Sequence, residues 1–110
     1  MSLDIRIKTK RNVVCPHCNK IVGAEDVGCV DSCGRGWYPF LEEIGYYVPH
    51  DKRTEENDWY GEDMVLTEEQ RTALYEFIKE RPGLFNGYEI VFLISSAIMD
   101  GNMVVVNADW

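Results

Sequence analysis

Cysteine is the residue type in this chain best placed to do chemistry, and all four cysteines fall in one window. Cys15-Pro16-His17-Cys18 is followed by ten residues and then by Cys29-Val30-Asp31-Ser32-Cys33. A tetrahedral ion asks for two short-spaced pairs, each gripping adjacent corners, joined by a segment that reverses the chain. The spacing therefore predicts a zinc ion held by Cys15, Cys18, Cys29 and Cys33, with His17 as an alternative fourth ligand. Such a site has no open position for water, so it supports folding rather than hydrolysis, and the binding energy, on the order of 10 kcal/mol, goes into order. The same four sulfurs also suit iron.

The residues around the first pair resemble a zinc-ribbon or rubredoxin-type knuckle. A strand, Arg11-Asn12-Val13-Val14, runs into Cys-Pro-His-Cys and a polar turn. The resemblance covers about twenty residues and departs from the usual pattern twice. Asn19 stands where glycine is common, though asparagine also tolerates positive φ, and the second pair has three residues between its cysteines. Cys-Pro-His-Cys is also the active-site tetrapeptide of strongly oxidising thioredoxin-fold proteins, which makes a Cys15–Cys18 dithiol redox protein an alternative. That chemistry requires the motif to open a long helix, whereas Asn19-Lys20-Ile21-Val22-Gly23 reads as a short β segment.

Other reactive groups are sparse. His17 and His50 are the only histidines, and His50 lies in the turn-like Val48-Pro49-His50-Asp51. No G-x-S-x-G, phosphate-binding glycine loop or H-E-x-x-H occurs, so the expectation is a protein that is not an enzyme. Aromatic residues set among charges and glycines are what a recognition surface uses, and Trp37, Trp59 and Tyr60 are the candidates for binding another protein. The competing reading packs Trp37, with Tyr38 and Phe40, between the two parts of the chain.

Charge divides the sequence. Through Gly36 there are 6 basic and 4 acidic residues, a balance of +2; from Trp37 onward 5 basic residues face 15 acidic ones, a balance of -10, which together give the net -8. An acidic body repels phosphates and anionic lipid, so nucleic-acid binding, the second functional alternative, is confined to Lys8, Lys10 and Arg11 in the basic part. No apolar run is long enough to span a bilayer, and the first residues carry no apolar signal stretch, so a cytoplasmic protein without a membrane partner is expected.

These residues must be positioned by a modest framework. The 110 residues, 45% of them hydrophobic, fit a single domain of ordinary globular composition. The expected architecture is α+β: a zinc-ribbon-like β head at about residues 5–36, packed on a body at 37–110 of two helices and a few short antiparallel strands. Thr67-Glu68-Glu69-Gln70 is a capping box that starts a helix running to about Glu80, which Arg81-Pro82-Gly83 ends. Asn86 offers a second cap. The stretch 88–99 is apolar on nearly every side and reads as a buried helix, with an interior strand as the other possibility. It has no lysine or arginine, which argues against a DNA-recognition helix. Leu41-Glu42-Glu43-Ile44 reads as a helical turn, Gly45-Tyr46-Tyr47-Val48 as a strand stopped by Pro49, and Met103-Val104-Val105-Val106 as a strand. The function drawn from these residues is a non-catalytic, zinc-stabilised interaction module that binds another protein.

Overall fold

A computed structural model describes residues 3–110 and shows an α+β fold. In chain order it contains β1 (Asp4–Val14), β2 (Ile21–Cys33), α1 (Tyr38–Glu43), β3 (Met64–Val65), α2 (Glu68–Glu80), α3 (Gly87–Asp100) and β4 (Met103–Asp109). The strands form one antiparallel sheet in the order β2-β1-β4-β3.

Strict alternation in β1 decides how the sheet is used. Leu3, Ile5, Ile7 and Thr9 are buried, while Arg6, Lys8 and Lys10 point to the other face. Period-2 patterning of this kind fixes register, because a one-residue slip would carry every apolar side chain to the polar side. Across the ladder Ile5 stands opposite Ala108 and Ser32, and Ile7 opposite Val106 and Val30. The helices cover this inner face, and Leu74, Phe77, Ile78, Ile90, Ile94 and Ala97 meet it in one core.

The capping box forms as its residues dictate. Thr67 accepts from the Gln70 amide at 3.2 Å, and the Gln70 side chain accepts from the Thr67 amide at 2.9 Å. The stretch 88–99 is helical and lies within α3. Its N-cap is Asn86, but in the left-handed region (φ 57) and without a side-chain cap; the amide instead donates to the Asp31 carbonyl at 2.8 Å and ties α3 to β2. Gly101, also left-handed, ends it.

Two expectations are corrected here. The segment between Cys18 and Cys29 is not a compact turn: past Asn19 and Lys20 it runs as the first half of a 13-residue strand, paired with β1. The hairpin at 4–33 joins the body in one sheet, because β1 also pairs with β4. Gly45-Tyr46-Tyr47-Val48 is a turn rather than a strand. Tyr46 is fully buried there, and its hydroxyl accepts from the Ala108 amide at 2.8 Å and donates to the Glu62 carbonyl at 2.6 Å, holding the 46–63 loop on β4 where β3 is too short to reach.

Beyond Thr9 and Gly28 the hairpin leaves the body. The four β1 residues from Arg11 onward are all exposed, as are the β2 residues from Ile21 to Val27. Two register shifts, leaving Val27 and Val22 as extra residues in β2, twist this arm. From Lys10 to Val14 it extends about 13 Å at the usual strand rise. The resulting radius of gyration, 14.7 Å, exceeds the roughly 13 Å of a compact chain of this length, and the longest dimension is 47 Å.

Candidate functional site

The tip of the arm is built by Cys15-Pro16-His17-Cys18-Asn19-Lys20. The Cys15 amide donates to the Lys20 carbonyl at 2.8 Å, and the Asn19 amide donates to the Cys15 carbonyl at 2.9 Å, which closes the turn. Asn19 takes the left-handed conformation, φ 58, that the missing glycine would have supplied. Hydrogen bonding from the His17 amide, then the Cys18 amide and the Cys18 side chain, holds the Cys15 thiol below its ordinary pKa, against desolvation.

The second pair lies elsewhere, and the expectation of one four-cysteine centre is corrected by the register. Cys29 stands opposite Lys8 and Cys33 opposite Asp4. Cys15 is seven residues beyond Lys8, so about 23 Å of strand separates the tip from Cys29, and Cys33 is roughly 13 Å further still. A zinc–sulfur bond is about 2.3 Å, so the two pairs cannot share an ion in this conformation. Among the described residues no group of three or more His, Cys, Asp and Glu side chains converges as a metal would require. The reason is the length of β2: nothing in Ile21 to Gly28 breaks the strand, because Gly23 and Gly28 are both accommodated within it. Cys29 and Cys33 stand on the polar face of the sheet. The Cys29 thiol is pushed up in pKa, first by desolvation and then by the Asp31 carboxylate 3.6 Å away, the opposite direction to Cys15.

Of the basic residues proposed for phosphate contact, Lys8 and Lys10 are on that face and Arg11, one residue further along the arm, is on the other, and each is already paired. Lys8 and Lys10 reach Asp63 at 3.3 and 3.0 Å, Lys10 approaches Asp26 at 3.7 Å, and Arg11 pairs with Glu25. Asp63 is held down to about 2, first by the Asn107 amide, at 2.8 Å, and then by the two lysines, against an opposing desolvation. Asn107 also accepts from Arg6 at 2.8 Å, and Arg6 pairs with Asp109 at 2.8 Å. The result is a charge-balanced seam of alternating sign. The tetrapeptide at the tip closes a hairpin and opens no helix, so the helix N-terminus that a thioredoxin-type nucleophile uses is not next to Cys15.

Trp37 is fully buried, and its assignment to a partner surface is corrected. Its indole N–H donates to Ser32 Oγ at 2.9 Å, Ser32 donates to the Phe85 carbonyl at 2.5 Å, and the ring packs against Phe40 and Phe77. This relay pins the turn after β2 to the start of α3. Trp59 is half-buried beside Tyr46, and Tyr60, half-exposed, stands edge-on against Trp110 at 4.9 Å. Both rings belong to a cluster that also includes Tyr47 and Arg53 and that fixes the chain's last residue.

An apolar surface that the sequence reading missed lies on α3. Tyr88, Phe92 and Met99 recur at helical spacing on its outer side and are exposed to 72, 76 and 87%, with Ile98 and Phe85 beside them. Leu93 packs toward Gly28, so α3 lies along the β2 root of the arm. Beyond it the arm exposes Val14, Ile21, Val22 and Val27. The all-round apolarity of 88–99 is thus not that of an enclosed helix, because one side faces the core and the other faces water. One signal was available in the sequence: Tyr88, Phe92 and Met99 recur at helical spacing, and a 110-residue chain has few elements with which to enclose every side of a helix. Among the described residues no helix is long and apolar enough to cross a membrane. Comparison with protein-family models, with curated proteins and with solved structures found no match.

Proposed function

We propose that this chain is a non-catalytic interaction module that binds another protein through the outer face of α3 and the exposed arm. The observation that carries the reading is the stripe Tyr88, Phe92 and Met99, three large apolar side chains in a row on the side of α3 that faces away from the core among the described residues. Exposed apolar residues scattered singly need no explanation, but aligned ones mark contact surfaces. The cysteine-bearing tip adds a metal-binding element to the same side of the molecule's use, and zinc is the ion its donors favour. Cysteines kept as metal ligands suit a reducing compartment, and the proposal includes a cytoplasmic location.

Phe92→Glu tests the reading directly. The side chain is exposed and makes no core contact, so the variant is expected to keep the wild-type melting temperature while losing a protein captured by immobilised wild-type chain. Capture of the same proteins by wild type and variant would reject the α3 face as the contact surface.

A further inference from the structure

We propose that one zinc ion joins the hairpin tips of two copies of this chain, coordinated by Cys15 and Cys18 of each. This rests on the reading of the chain as an interaction module and names one partner, a second copy, and one site.

The tip supplies half of a tetrahedral centre. Both cysteines sit on one turn, which the Cys15 amide on the Lys20 carbonyl at 2.8 Å and the Asn19 amide on the Cys15 carbonyl at 2.9 Å hold closed, so the pair is brought together before a metal arrives. Four-thiolate zinc needs two further sulfurs, and Cys29 and Cys33 are separated from the tip by the length of the paired strands. A second tip related by a twofold axis through the ion provides the other two corners with identical geometry, which is how an isologous contact closes on itself.

Shape and charge both favour this approach. The arm holds the tip clear of the body, and Cys18, His17 and Lys20 are all exposed, so two tips can meet with no other part of either chain in the way. Val14, Ile21 and Val22 flank the turn at 49, 64 and 65% exposure and would lose water on contact. From Lys10 to Asp26 there are three basic residues (Lys10, Arg11, Lys20) and two acidic ones (Glu25, Asp26), a balance of +1, while the rest of a chain of net -8 carries -9. Two such chains repel least tip to tip, and Lys20 of each copy lies where the net negative charge of a four-thiolate zinc centre develops.

The test is metal content and mass measured together on the full chain under reducing conditions. One zinc per two chains in a dimer is expected, with monomer on adding a chelator and dimer again on returning zinc. The double variant Cys15→Ser, Cys18→Ser is expected to stay monomeric and zinc-free with an unchanged far-ultraviolet spectrum, because the turn is exposed. Cys29→Ser, Cys33→Ser is expected to bind zinc and dimerise like wild type. Cobalt(II) in place of zinc should give the intense charge-transfer absorption of four thiolates only in the dimer. One zinc per chain in a monomer, loss of zinc in the Cys29, Cys33 variant, or a dimer that survives the chelator would each overturn the proposal. A Phe92→Glu chain that still forms the zinc dimer separates the two surfaces, since failure of the α3 reading leaves this result intact and the reverse also holds.

Discussion

Asp63 shows how one carboxylate organises the polar face of the sheet. It receives Lys8, Lys10 and the Asn107 amide, and its folded pKa of about 2 lies below its ordinary 3.8. A depressed carboxylate contributes stability above its unfolded pKa and loses it as the pH falls through the folded value. Asp63 therefore adds to stability at neutral pH, and that contribution fades between about pH 4 and pH 2. Urea melts of Asp63→Asn and wild type should converge over this window while differing at pH 7; a gap that stays constant would show that the carboxylate charge is not the source. The same residue bears on the nucleic-acid alternative, since it offsets the charge that Lys8 and Lys10 would present to a phosphate. Trp37→Ala removes a fully buried ring and its hydrogen bond to Ser32, and should cost roughly 3–5 kcal/mol in equilibrium unfolding. A loss below about 1 kcal/mol would place the ring outside the core.

At the level of elements, the hairpin is half structure and half projection. Its root is locked between β4 and the helices, while its outer half pairs only with itself. An isolated two-stranded hairpin is marginal in water, so amides of the outer half should exchange with solvent orders of magnitude faster than those of Ile5 and Ile7 in the root, as hydrogen exchange by NMR would measure. Equal protection would mean that something covers the arm. The start of α2 was legible because its signals are local: Thr67 and Gln70 satisfy each other whatever the rest of the chain does, and Thr67→Ala should cost about 1 kcal/mol. β1 was legible in part, through Arg11 to Val14, but its full length depends on β4, nearly a hundred residues later. The tolerance of Asn19 for positive φ was also local and was found. What misled was the second pair of cysteines. Spacing in sequence translates into distance only when the intervening backbone is known, and a strand from Ile21 to Cys33 separates residues that a turn would have gathered. Tyr46 misled for the opposite reason: its apolar neighbours suggested a strand, while its hydroxyl was needed to satisfy backbone groups of β4 and the 60s loop.

The whole molecule combines a charge-balanced sheet face, a helical face with an uncovered apolar stripe, and an arm ending in two cysteines. Its acidic body and mildly basic arm give it a polarity that the net charge alone conceals. The fold class, α+β, followed from element order and patterning, while the four-stranded antiparallel sheet is seen only in the structure. The use of its surfaces did not, because Trp37 and the residues of α3 exchanged the roles that hydrophobicity alone assigned to them: the tryptophan went inside and Phe92 went out.

Separation of the tip cysteines from the strand cysteines decides whether this description of the molecule holds. The Cβ chemical shifts of the four cysteines, recorded before and after zinc is added to the reduced protein, test it most directly. Cys15 and Cys18 should move to the downfield range of zinc-bound thiolates while Cys29 and Cys33 keep the values of free thiols in a strand. Movement of all four together would contradict the extended hairpin, and movement of none would remove the metal from the tip.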